Sequence, residues 1–138
     1  MKNADFCMEL KRAECPVKVA EIVDKTIRAD IYFAVVQGEI VGTGSIRGNE
    51  ICRLFILPEY QGNGYGSRLM DLLEDMVFRQ YQVIHIDASF PAESMYLKRG
   101  YRIETYEKIE TESGDYLCYH TMEKMAEGEL EIYRKDLK

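Results

Sequence analysis

The chain has 138 residues, a net charge of −6, 46% hydrophobic and 30% charged residues, and four cysteines. That length predicts one domain, residues 1–138, able to bury about two-thirds of its unfolded surface without a disulfide or a metal, and the composition excludes disorder. No apolar run approaches the roughly 20 residues of a membrane span, Met1–Phe6 lacks the apolar stretch of a secretory leader, and no basic stripe is offered to nucleic acid. A cytoplasmic protein that binds neither membrane nor nucleic acid is therefore expected, with an acidic surface compatible with a cationic small substrate.

Residues Ala4 to Ala13 and Pro16 to Arg28 read as two short helices. In the second, Val19, Ile22, Val23 and Ile27 recur on one helical face, and Pro16 suits a first helical position, where its missing N–H would be unpaired anyway. From Ile31 the texture turns β-branched and aromatic. Ile31 to Val36, a turn at Gln37-Gly38, and Glu39 to Arg47 form a predicted hairpin. Gly48-Asn49 turns the chain again, and a third strand, Ile51 to Leu57, stops at Pro58, which cannot donate to a ladder.

A glycine-rich loop, Glu59 to Gly66, leads into a long amphipathic helix ending near Tyr81, with Leu69, Leu72, Leu73, Met76 and Val77 on one stripe. Val83 to Ala88 reads as a strand, and Pro91 or Ala92 to Arg99 as a short helix closed by Gly100, the residue best able to take a left-handed cap. Tyr101 to Lys108 and Tyr116 to Glu123 pair across Ser113-Gly114-Asp115. The tail, 126–138, is polar, with Leu130 to Tyr133 as a further strand. Cys7, Cys15, Cys52 and Cys118 stand far apart without a C-x-x-C pair, which reads as reduced thiols. Cys52 and Cys118 are expected in the core, and His85 and His120, single residues in strand-like runs, are read as structural.

The stretch Leu54-Phe55-Ile56-Leu57-Pro58-Glu59-Tyr60-Gln61-Gly62-Asn63-Gly64-Tyr65-Gly66 carries the chemistry. A strand, a loop with three glycines and a helix start follow one another. The first amides of a helix lack intrahelical partners, and its dipole favours an anion there. Glycine also lets backbone approach phosphate oxygens closely. The loop is thus a candidate diphosphate cradle. A P-loop is excluded because no lysine follows the glycines, and the dinucleotide fingerprint because Gly62, Gly64 and Gly66 alternate rather than space as G-x-G-x-x-G.

Gln61-x-x-Gly64-x-Gly66, after the strand end Leu54 to Pro58, resembles the Q/R-x-x-G-x-G/A signature of the GNAT acetyltransferase family. Ser89-x-x-Ala92-x-x-Met95-Tyr96-x-x-x-Gly100-Tyr101 resembles that family's later motif, N-x-x-A-x-x-L-Y-x-x-x-G-F. The likeness covers about residues 31 to 125. It implies an α/β fold with α+β-like ends: a central, mixed, mostly antiparallel twisted sheet, splayed between its two central strands and flanked by about four helices.

The resemblance also implies acetyl-CoA (coenzyme A) and an amine as partners. Backbone groups of Phe55, Ile56 and Leu57 would pair with the pantetheine arm. The amides of Gln61, Gly62, Asn63, Gly64, Tyr65, Gly66 and Ser67 would hold the diphosphate. Ser89, standing where the family has asparagine, would bond the pantetheine amide through its hydroxyl. Tyr96 would protonate the departing thiolate, a task suited to a phenol. The family has no single fixed base; Glu50, at the start of the strand before the loop, is the candidate that would take the amine's proton, whereas Glu59 is expected to face solvent. No metal is called for.

A non-catalytic acyl-CoA sensor or interaction module on the same fold is the alternative, and another phosphorylated ligand in the loop is a further one. The family opens with a strand before its first helix, and only Met1 to Asn3 precede Ala4, so that strand is expected to be absent or minimal. Leu130 to Tyr133 would then cover the bare edge, in the same chain or across a homodimer.

Overall fold

The computed structural model describes residues 7–13, 17–18 and 28–126. The chain divides into two compact units, one up to Gln80 and one from Tyr81 onward.

In the first unit the described residues form β1 (Met8–Arg12), a two-residue strand, β2 (Val17–Lys18), then β3 (Arg28–Val36), β4 (Glu39–Arg47), β5 (Glu50–Ile56), and helix α1 (Tyr65–Phe78). The sheet order is β1-β3-β4-β5, with β2 also on β3, and every pairing is antiparallel. The strand at β1 corrects the helix expected over Ala4 to Ala13. Met, Glu, Leu, Lys and Arg are all good helix formers, yet Met8 is buried while Glu9 and Lys11 are exposed, the two-residue period of a half-buried strand. Pairing of Met8 with Val36 through Arg12 with Tyr32, closed by an Arg12–Asp30 ion pair at 2.7 Å, overrides local preference. An opening edge strand is therefore present. The expected helix over Pro16 to Arg28 is likewise corrected at its ends, where Val17–Lys18 pairs with Arg28 and Ala29; its middle, with Leu130 to Tyr133, lies outside the described residues.

The two predicted turns are present. Gln37 and Gly38 both take left-handed conformations, φ 52° and 79°, which matches the twist of a two-residue hairpin. Helix α1 packs on β4 and β5. Its buried residues are Leu69, Met70, Leu73, Glu74 and Val77, so the stripe is rotated from the predicted one, with Met70 and Glu74 inward and Leu72 and Met76 half-buried. Leu73 is fully buried, and truncating such a leucine to alanine costs about 2–5 kcal/mol. Close approach of helix to sheet depends on Gly44, where a Cβ would lie 2.6 Å from Leu73 Cδ1.

The second unit holds β6 (Val83–Ser89), helix α2 (Glu93–Lys98), β7 (Arg102–Glu110) and β8 (Tyr116–Met125). Its sheet order is β6-β8-β7, antiparallel throughout. Ile84, Ile86, Ala88, Tyr101 and Met122 form its core, and Gly100, at φ 95°, takes the predicted left-handed position after α2. Every residue of β7 is exposed.

Both units are antiparallel sheets with few helices. The described residues hold two α-helices and two single 3₁₀ turns, Pro58–Tyr60 and Phe90–Ala92, which corrects the expected count of about four helices. None of the described helices is long and apolar enough to cross a membrane. Cys7, Cys52 and Cys118 form no disulfide, and Cys52 and Cys118 are half-buried rather than in the core.

Candidate active site

The glycine loop begins where β5 ends. Pro58–Tyr60 makes one 3₁₀ turn, closed by Tyr60 N–H to Leu57 O at 2.9 Å and Gln61 N–H to Pro58 O at 3.3 Å. Gln61 then folds its side chain back, donating from Nε2 to the Ile56 carbonyl at 2.8 Å. Asn63 donates from Nδ2 to the carbonyls of Tyr60 and Gln61, at 3.1 and 3.3 Å. Two polar side chains thus fix the loop from within. Gly62 and Gly64 take φ 81° and 83°, a conformation that a Cβ penalises.

Gly64 is the N-cap of α1, and no side chain caps this end. The amide of Arg68, bonding Gly64 O at 3.1 Å, is the first to close a helical turn. Among the described residues, no backbone acceptor engages the amides of Gly62, Asn63, Gly64 or Gly66. A Cβ built on Gly62 or Gly64 meets nothing within 4 Å. Uncapped amides at the positive end of a 14-residue helix, open on one side, make an anion-binding geometry. Tyr60 and Tyr65 flank the loop with ring centroids 6.2 Å apart.

Strand β5 reaches the loop through a bulge. Thr43 pairs with Phe55 and Ser45 with Cys52, so Arg53 and Leu54 together oppose Gly44. Arg53 sits at φ 54°, a left-handed conformation costly for a residue with a side chain and frequent near functional sites. The bulge carried no sequence signal, because nothing in Cys52-Arg53-Leu54 favours positive φ. Beyond it, Leu57 N–H donates to Val41 O at 2.9 Å. By the alternation of an antiparallel ladder, Phe55 also points its backbone groups toward β4, whereas Ile56 turns its own to the opposite edge, where its carbonyl meets Gln61. Of the three residues expected to offer backbone to a ligand, Ile56 is the one directed away from β4. Phe55 contributes a half-exposed ring, 50% accessible.

Glu50 stands at the other end of β5, six residues from Ile56, about 20 Å at strand rise. Its Oε1 is ion-paired with Arg47 Nη2 across the β4–β5 turn, and its side chain is 18% accessible. Glu59 is exposed, as expected.

In the second unit Ser89 ends β6, opposite Tyr119 of β8, and is exposed. Tyr96 lies on α2, half-buried, its ring edge-on to the buried Tyr101 at 5.6 Å. Burial pushes the Tyr96 phenol up from its ordinary range, against a smaller opposing pull from Arg99, so the hydroxyl keeps its proton at neutral pH. His85, Glu104 and Glu123 bring three ligand-type atoms within 4.8 Å of one another. Arg102 already neutralises Glu123 there, with Nε and Nη2 at 3.0 and 2.7 Å from Oε1, which makes the cluster an ion-pair network. Sequence alone missed the contact of His120 Nδ1 with Glu93 Oε2 at 2.7 Å, because the partners are 27 residues apart.

Residues 13–126 match the family model described as an acetyltransferase (GNAT) domain. No curated protein matches the chain. A structure described as a GCN5-related N-acetyltransferase, aminotransferase class II, from Rhodopseudomonas palustris is 31% identical with a TM-score of 0.64; the match covers 71% of this chain and 62% of that one. A GNAT-family acetyltransferase from Streptococcus pneumoniae is 18% identical, TM-score 0.58, covering 71% of this chain and 67% of that one. The PaiA N-acetyltransferase of Thermoplasma acidophilum, solved with coenzyme A, is 20% identical, TM-score 0.54, covering 70% of this chain and 60% of that one. The last two share the fold. With the family model matched over residues 13–126, the chain belongs to the GNAT acetyltransferase family.

Proposed function

We propose that the chain is an N-acetyltransferase that moves an acetyl group from acetyl-CoA to an amine by direct transfer in a ternary complex. The observation that carries this proposal is the loop from Gln61 to Ser67. It is fixed from within by Gln61 and Asn63, has left-handed glycines whose missing Cβ atoms leave open space, and begins an uncapped helix. Such a loop suits the diphosphate of coenzyme A, held by the amides of residues 62–67, the Gln61 amide expected to join them being bonded to Pro58 O. The backbone of Ile56, directed away from β4, is proposed to pair with the pantetheine arm, with Phe55 and Leu57 lining it through their side chains, and Ser89 is proposed to bond its amide.

In the transfer itself the amine nitrogen attacks the thioester carbonyl and the C–S bond breaks. Tyr96 is proposed to give its phenolic proton to the sulfur, and its burial keeps that proton in place beforehand. Glu50 is proposed to take the amine's proton, directly or through water. An extended arm running from the loop along β5 would carry the thioester toward the end of the strand where Glu50 lies. Positioning both substrates accounts for up to about 7–11 kcal/mol of barrier reduction in the best cases, and the reaction needs no covalent enzyme intermediate.

Calorimetric titration of the purified protein with acetyl-CoA, with ATP as control, tests the cofactor assignment. Micromolar affinity for acetyl-CoA alone is expected; a folded protein that binds neither, or both equally, would overturn it. Tyr96→Phe is expected to lower kcat at least about tenfold while leaving acetyl-CoA affinity unchanged. An unaltered rate would remove Tyr96 from the acid role.

A further inference from the structure

We propose that a pocket in the second unit, built on the Glu93–His120 pair, is a binding site for an alkylammonium group. The pocket is open, about 420 Å³ in volume, and lined by Phe90, Glu93, Ser94, Leu97 and His120, within the size range of small-ligand sites. Its walls are apolar at Phe90 and Leu97, which are 47% and 46% accessible, large fractions for such side chains. Its polar groups converge from separate elements: Glu93 and Ser94 from the start of α2, and His120 from β8.

The donor and acceptor count selects the ligand. An ionised carboxylate only accepts hydrogen bonds, so at 2.7 Å His120 Nδ1 is the donor to Glu93 Oε2. In the neutral imidazole this bond sets the Nδ1–H tautomer and leaves Nε2 as an acceptor. No described residue donates to Nε2 or to the second oxygen of Glu93. The pocket therefore presents a carboxylate, an imidazole lone pair and a serine hydroxyl, with no lysine or arginine in its lining. A ligand that satisfies it brings several donors, a positive charge and an apolar body. An ammonium on an alkyl chain has all three, whereas an anion would meet the Glu93 carboxylate with like charge and an apolar molecule would give the half-buried Glu93 and His120 no donor.

The surrounding rings hold the pair rigid. Tyr106 of β7 is the cross-strand partner of His120, with ring centroids 5.8 Å apart. Phe90 lies 5.0 Å from His120 and 6.0 Å from Tyr106, and the Tyr106 hydroxyl is anchored on Cys118 Sγ at 3.2 Å. The three rings touch one another, so they back the wall instead of enclosing a cation. Contact of the cation with the outer face of Phe90 adds a smaller attraction. Binding at this site can be tested without acyl transfer, because none of its lining residues belongs to the glycine loop.

The chain has two histidines, so the imidazole protons of His120 can be followed by NMR with His85 as an internal control. In the full-length protein, n-butylammonium is expected to shift His120 saturably and leave His85 unmoved, with n-butanol at equal concentration producing little change. Glu93→Gln should weaken the ammonium about tenfold, the equivalent of about 1.4 kcal/mol. Leu97→Arg, at a half-exposed position, should abolish binding by placing a like charge in the pocket. Equal responses to butanol and butylammonium would reduce the site to an apolar groove and overturn the proposal, as would binding undiminished in Leu97→Arg. Incubation of butylamine with acetyl-CoA then identifies the source of the cation. If N-butylacetamide forms and falls with Glu93→Gln, the site holds the acceptor. If binding is lost in that variant while acetylation is unchanged, the site holds a separate cation.

Discussion

The glycines of the β4 strand and those of the loop before α1 are the same residue kept for opposite reasons. At Gly42 a Cβ would lie 2.4 Å from the carbonyl oxygen of Phe55 and 2.7 Å from Ile56 Cδ1, and at Gly44 it would meet Leu73. Both sites are already filled by protein atoms, and glycine is needed because packing there admits nothing larger. At Gly62 and Gly64 a Cβ meets nothing within 4 Å, yet φ is positive. Backbone shape demands glycine there, and the space beside it is left open. Packing therefore accounts for the first pair, whereas the second pair is set by backbone shape beside open space.

Gly42→Ala should give the largest effect. The clashing atom is backbone and cannot rotate aside, so a destabilisation of about 3 kcal/mol, the upper end of overpacking, is expected in the urea midpoint. A cost below about 1 kcal/mol would mean the sheet can yield, and the contrast would collapse. The loop should respond differently. Gly64→Ala is expected to cost about 1–2 kcal/mol through positive φ alone and to weaken acetyl-CoA by at least tenfold. Gly66 sharpens the comparison. It lies in the first turn of α1 without positive φ, and its Cβ would rest at an ordinary 3.6 Å from Ile56 Cγ1. Gly66→Ala should stabilise by up to about 1 kcal/mol through helix propensity while still weakening acetyl-CoA. A variant more stable than wild type and undiminished in affinity would show that this stretch of the loop does not approach the diphosphate.

The smallest expected effect is alkaline. The Tyr96 phenol is raised by burial in the folded state. Its contribution to stability is therefore complete below the ordinary phenol pKa of about 10 and fades as pH rises through the raised value. The melting temperature of the wild type should fall more steeply above that pH than that of Tyr96→Phe. Parallel curves would mean that Tyr96 is as solvated folded as unfolded, and the reason for its holding a proton in the site would go with it. Tyr32, raised chiefly by burial as well, is common to both proteins and cancels.

Much of this was legible in the sequence, because its signals are local. The turn at Gln37-Gly38, the strand ended by Pro58, the glycine loop, the amphipathic run of α1 and the cap at Gly100 each depend on neighbours within a few residues. Two motifs sufficed to suggest the family. The misses share a physical cause. Residues Met8–Arg12 have the composition of a helix and became a strand because β3 offered a ladder 20 to 28 residues along the chain, from Arg12 with Tyr32 to Met8 with Val36. The bulge at Arg53 and Leu54 lies opposite Gly44 in another strand, and no residue of the bulge announces it.

What the sequence determined by itself is the order of the later elements and the backbone freedom of the loop, since periodicity, proline and glycine act through local sterics. What only the tertiary structure decided is which way these groups point and what they pair with. Ile56 and not Leu57 turns its backbone away from β4, Gln61 serves the loop through its side chain, and His120, read from sequence as a lone structural residue, gains Glu93 as a partner. Strand pairing and burial set those directions, and they are properties of contacts between residues far apart in the chain.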